Sequence, residues 1–113
     1  MLRAIDALVA PNRTIRGQAN QSLCKDVGFC SVGVDEGWEM CGAGVNGTQH
    51  DAQGLPTINS TRFPSMKGMV DYGHANGLKV GWYENGCKCK EMKDLPINYA
   101  GDVQLLYDFG FDG

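Results

Sequence analysis

Phe29-Cys30-Ser31-Val32-Gly33-Val34-Asp35-Glu36-Gly37-Trp38 and Leu78-Lys79-Val80-Gly81-Trp82-Tyr83-Glu84-Asn85-Gly86 decide how this chain is read. Each is a short apolar run that closes on polar side chains and a glycine, the pattern of a buried strand ending in a loop. Between them, Phe63-Pro64 opens and Asn76-Gly77 closes a segment with helical spacing, in which Met66, Met69 and Val70 share a face. Strand, helix, strand with polar groups collected at the strand ends is the repeating unit of an α/β barrel. The expected fold class is therefore α/β, a partial (β/α)8 barrel in one domain spanning residues 1–113.

Working outward, residues 1–9 read as a helix entered part-way along, with Leu2, Ile5, Leu8 and Val9 on one side and Pro11 as its stop. A second helix is expected from about Arg16 to Asp26, ending at Gly28. Residues 37–62 form a long loop rich in Gly, Asn, Thr and Gln, of a length that usually carries function. A last helix is expected to be capped near Asn98, to bury Val103, Leu106 and Tyr107, and to stop at Gly110. Phe111-Asp112-Gly113 then opens a further strand.

The alternation of strand side chains decides which residues meet. Phe29, Ser31, Gly33 and Asp35 share one face, opposite Cys30, Val32 and Val34. In the second strand Lys79, Gly81 and Tyr83 lie opposite Leu78, Val80 and Trp82. The bulky sets should pack on helices and the small sets should face a crowded barrel axis. Asp35 and Tyr83 then point inward together from neighbouring strand ends. There they can bind a polyhydroxylated ligand, the carboxylate accepting from hydroxyls and Tyr83 or Trp38 offering a flat apolar face. Asp35 and Glu36 are read as binders and not as an acid–base pair. Adjacent strand residues diverge, whereas glycoside hydrolysis needs two carboxyls flanking one bond.

Composition excludes several classes. The chain has 42% hydrophobic and 20% charged residues and a net charge of −3, so it presents no basic stripe for nucleic acid. No apolar run has the length of a membrane span. Cys87-Lys88-Cys89 is too closely spaced for a zinc knuckle, and His50 and His74 stand alone, so neither a metal nor a cofactor is expected. Five cysteines (Cys24, Cys30, Cys41, Cys87, Cys89) accompany four glycosylation sequons at Asn12, Asn20, Asn46 and Asn59. Together they indicate the secretory pathway, with disulfides drawn from the five and one thiol left over.

Four ordered pieces resemble the α-galactosidase family of glycoside hydrolases, which also includes α-N-acetylgalactosaminidases. They are Val32-Gly33-Val34-Asp35-Glu36-Gly37-Trp38, Phe63-Pro64-Ser65-Met66-Lys67-Gly68, His74-Ala75-Asn76-Gly77-Leu78-Lys79-Val80-Gly81-Trp82-Tyr83, and Phe109-Gly110-Phe111-Asp112-Gly113. The resemblance implies that the chain covers the second to fourth strand units of the barrel. It further implies a retaining enzyme of carbohydrate metabolism that removes terminal α-linked galactose in a secreted, lysosomal or vacuolar setting. On this resemblance Asp35, Glu36 and Tyr83 are substrate-binding residues, Glu36 standing where the family usually has aspartate. The nucleophile and the acid/base are both expected after Gly113, making this piece inactive alone. Either Cys87 or Cys89 matches a family cysteine that bonds beyond the nucleophile. A homodimer is the assembly carried for the whole protein. The alternative reading is a non-catalytic carbohydrate-binding or vestigial barrel protein.

Overall fold

The computed structural model describes residues 1–84, 86–91 and 95–113. Asn85, part of the second defining stretch, lies outside them. The described elements are α1 (Leu2–Val9), β1 (Arg13–Ile15), β2 (Gln18–Gln21), β3 (Ser31–Val34), α2 (Met66–Ala75), β4 (Lys79–Trp82) and α3 (Pro96–Phe109), with a single 3-10 turn at Val45–Gly47.

At the centre is a β–α–β unit. β3 and β4 run parallel, pairing Ser31 with Lys79, Val32 with Val80, Gly33 with Gly81 and Val34 with Trp82. α2 connects them because its ends are well specified. The Ser65 side chain accepts from the Gly68 amide at the N-terminus, satisfying one of the amides a first turn leaves open. Gly77 takes the left-handed conformation just past the C-cap. Met66, Met69 and Val70 are buried from α2, against Val34, Leu78 and Val80 from the strands. Gly73 brings α2 close to β4: a Cβ there would lie 2.5 Å from Val80 Cγ2. α1 adds fully buried Ile5 to this core, and its Asp6 accepts from the Tyr72 hydroxyl at 2.7 Å. Leu2, expected on the same apolar side, is exposed.

The helix expected over Arg16–Asp26 is absent. Arg16 and Gly17 both have positive φ, +50° and +80°, as a type I′ turn requires at its two central residues. That turn folds β1 and β2 into an antiparallel hairpin. Beyond it, Ser22 and Asp26 exchange side-chain and backbone hydrogen bonds around a short turn, and Gly28 still ends the segment with a positive φ.

α3 differs from expectation in phase. Pro96 occupies its first turn and Leu95 the N-cap position, while Asn98 is buried inside the helix. Val103 and Tyr107, expected in the core, are 68% and 79% exposed. The helix instead lays Gly101 on the long loop, where a Cβ would come within 1.8 Å of the Gly54 carbonyl oxygen. Gly110 does end the helix, in the left-handed conformation.

The partial (β/α)8 barrel, with its second to fourth strand units, is not what the chain forms. Among the described residues there are three α-helices and two separate two-stranded sheets, one of them the antiparallel hairpin. Phe111–Gly113 do lie against β4, Asp112 N donating to the Val80 carbonyl and Trp82 N to that of Gly113, but the contact is too short to make a strand. The radius of gyration is 16.7 Å, against about 13 Å for a compact domain of this length. Period-2 and helical patterns specify a local β–α–β unit. Closure needs a continuous series of tilted, staggered parallel strands, which this sheet does not supply. The small-residue face expected to line a crowded axis is consequently open: Ser31, Gly33, Asp35, Lys79 and Tyr83 are exposed.

Candidate functional site

The register that pairs Val34 with Trp82 makes Asp35 and Tyr83 the next residues out on the same face. Tyr83 N donates to the Val34 carbonyl at 2.8 Å, and its own carbonyl accepts from Trp38 Nε1 at 3.0 Å. Tyr83 is thus fixed through its backbone while its side chain remains 49% exposed. Asp35 is exposed and accepts from the Glu36 amide at 2.8 Å. Both residues line one shallow depression of about 530 Å3 floored by Gly33, Gly81 and Gly113. The floor is glycine partly from necessity, since a Cβ on Gly81 would lie 3.1 Å from the Gly113 carbonyl oxygen. The same floor continues into a second depression of about 390 Å3 reaching Ser31, Lys79 and Asp112. A carboxylate and a phenol above an open backbone floor suit a ligand rich in hydroxyls.

Two other expected participants are elsewhere. Glu36 turns away from the depression and pairs with Lys88 at 3.2 Å. Lys88 also reaches Glu39 at 3.2 Å, a carboxylate buried beneath it that accepts from the Gly37 amide. Trp38 is fully buried and packs edge-on against Trp82, with ring centroids 4.6 Å apart. It holds Tyr83 in place and cannot serve as a sugar platform.

The cysteines form two disulfides. Cys24–Cys30 clips the approach to β3, and Cys41–Cys89 ties the long loop to the segment after β4. Cys87 is in neither and is exposed. Two disulfides suit an oxidising secretory or extracellular compartment. Asn12, Asn20 and Asn46 are exposed. Asn59 is half-buried, its side-chain oxygen accepting from the Arg62 amide. Among the described residues no helix is long and apolar enough to cross a membrane.

A second polar cluster escaped the sequence reading. His50, which stands alone in sequence, is buried in the long loop with Nδ1 2.9 Å from Glu91 Oε1 and Nε2 2.8 Å from Asp102 Oδ1. Glu91 also accepts from the Gln49 and His50 amides and from Asn98 Nδ2. Burial opposes the imidazolium, but Asp102 and Glu91 outweigh it and raise the His50 pKa above its ordinary 6.5. Burial raises Asp102 despite the imidazole beside it, while the donors from His50 hold Glu91 low against its own burial. These partners are 41 and 52 residues apart in sequence, so no local spacing announces them. His74, in the last turn of α2, reaches Asp112 at 2.9 Å.

No protein-family model, curated protein or solved structure matches the chain. The resemblance to α-galactosidases rests on the quoted motifs.

Proposed function

We propose that the face bearing Asp35 and Tyr83 is a carbohydrate subsite. We further propose that the chain is part of a retaining α-galactosidase acting on terminal α-linked galactose in the secretory pathway, its lysosomal or vacuolar branch included. The observation that supports this reading is the placement of a carboxylate and a phenol side by side over a glycine floor, on two of the segments that resemble the family. Retaining hydrolysis needs two carboxyls about 5–5.5 Å apart, and Asp35 is the carboxylate among the residues lining the depression. The chain therefore contributes binding, and the resemblance assigns both catalytic aspartates to sequence following Gly113.

The Glu36–Lys88 pair favours a second reading, a non-catalytic carbohydrate-binding protein, because it withdraws a carboxylate from the sugar face. Titration of the chain with methyl α-galactoside, followed by NMR, tests the subsite. Shifts are expected at Asp35, Gly81 and Tyr83 and should be lost in Asp35→Ala. An absence of saccharide-dependent shifts there refutes it. Turnover of nitrophenyl α-galactoside by the chain extended through its following coding sequence separates enzyme from binder.

A further inference from the structure

His50 sets a problem of proton accounting. A neutral imidazole carries one N–H and donates to one acceptor, yet both of its nitrogens face carboxylate oxygens within 2.9 Å. A proton on Nδ1 is donated to Glu91, which also accepts from two amides and Asn98. A neutral ring would then leave Nε2 and Asp102 as two acceptors 2.8 Å apart, a contact that a second proton on the ring or a cation between them satisfies. Glu91 and Asp102 together carry two negative charges beside a ring that supplies at most one positive charge.

A third carboxylate reaches the same point. Ligand atoms of His50, Glu84 and Asp102 all lie within 4.8 Å of one another. Fully buried Gln49 donates Nε2 to Glu84 Oε1 at 2.8 Å, and its side-chain oxygen Oε1 has no hydrogen-bond partner, a further acceptor in a cluster already rich in them. A space of about 10 Å3, enough for one water-sized sphere, lies against His50, Glu91 and Asp102, its wall completed by Gly86, Leu95, Asn98 and Tyr99 and not by Glu84.

We propose that His50, Glu84 and Asp102 bind a divalent transition-metal ion, with Glu91 as the carboxylate that orients the histidine. One imidazole nitrogen with carboxylate oxygens suits Zn2+ or Mn2+. A carboxylate on the far ring nitrogen is the usual support of a metal-bound histidine. The ion ties three distant parts of the chain together: the long loop through His50, the end of β4 through Glu84, and α3 through Asp102. The site is separate from the Asp35–Tyr83 face and does not depend on its reading.

The test is Zn2+ titration of the oxidised full chain after removal of metal by a chelator, in a Cys87→Ser background so that the thiol takes no part. One equivalent of Zn2+ should bind and raise the melting temperature, an effect reversed by chelator. Glu91→Gln should weaken binding about 10–100-fold, and His50→Gln should abolish it. His74→Gln, which removes the exposed histidine beside Asp112, should leave affinity unchanged. Should His50→Gln fail to fold, the shift of His50 Nε2 on metal addition in the background chain decides the matter by NMR. No Zn2+- or Mn2+-dependent stabilisation, binding that survives His50→Gln, or an unmoved His50 Nε2 resonance overturns the proposal.

Discussion

The Cys41–Cys89 bridge should contribute more to stability than the Cys24–Cys30 bridge, and the difference can be worked from chain topology. The first joins residues 48 apart in sequence and the second residues 6 apart. Loop-closure entropy gives about 4 kcal/mol for the longer and about 2 kcal/mol for the shorter. A domain of this size has a total stability of about 5–15 kcal/mol, so losing the long bridge removes a large share. Each pair is replaced by alanine in a Cys87→Ser background, which prevents exchange with the remaining thiol and keeps the buried Cys24 position apolar. Urea unfolding should show the Cys41→Ala/Cys89→Ala chain about 2 kcal/mol less stable than the Cys24→Ala/Cys30→Ala chain. The structure adds to the difference, because Lys88 sits beside Cys89 and covers buried Glu39. Equal losses, or a larger loss from the short bridge, would refute the claim that this covalent tie organises the long loop.

Gly101→Ala should destabilise the chain by about 1–2 kcal/mol. Alanine gains about 1 kcal/mol of helix propensity, but the new Cβ meets backbone atoms of Gly54 at 1.8 and 2.4 Å, an overlap at the upper end of the overpacking range, about 2–3 kcal/mol; a variant as stable as the parent in a urea melt would remove this packing from the account. Asp112 accepts from the Val80 amide and from His74, which hold its carboxyl below its ordinary value of 3.8. It therefore contributes stability above that value, lost as pH falls through the depressed one. Asp112→Asn should flatten the acid limb of the stability–pH profile, and an unchanged limb would count against the contact.

What was legible in the sequence was local. Asn76 and Gly77 close α2 as expected, and Met66, Met69 and Val70 are buried as their spacing requires. Alternation correctly separated Val34, Leu78 and Val80 from Ser31, Gly33 and Lys79. A helix was expected over residues 16–26, whereas positive φ at Arg16 and Gly17 makes a two-residue turn and a hairpin there. α3 shows the limit of periodicity from another side. Its apolar stripe has the right period, but packing chose the face carrying Asn98 and Gly101 because only a small residue lets the helix approach the Gly54 backbone. Glu36 was placed at the sugar site by the resemblance. Lys88, 52 residues away, pulls it elsewhere.

The polar clusters were illegible for the same reason that they are needed. Residues 37–62 contain no strand, only a 3-10 turn and isolated bridges at Glu39–Ile58 and His50–Pro56. A segment of that length without a continuous ladder must be held by other means, since ordering each backbone residue costs about 1–2 kcal/mol. Here the ties are Trp38 on the Tyr83 carbonyl, Glu39 on Lys88, the Cys41–Cys89 bridge and His50 between Glu91 and Asp102. All reach across the chain to residues 83–91, directly after β4, and His50 also reaches Asp102 in α3. The loop and the segment following β4 thus fix one another, and through Tyr83 they fix the phenol over the glycine floor. Order at the candidate sugar face depends on these long-range ties more than on the two short strands beneath it.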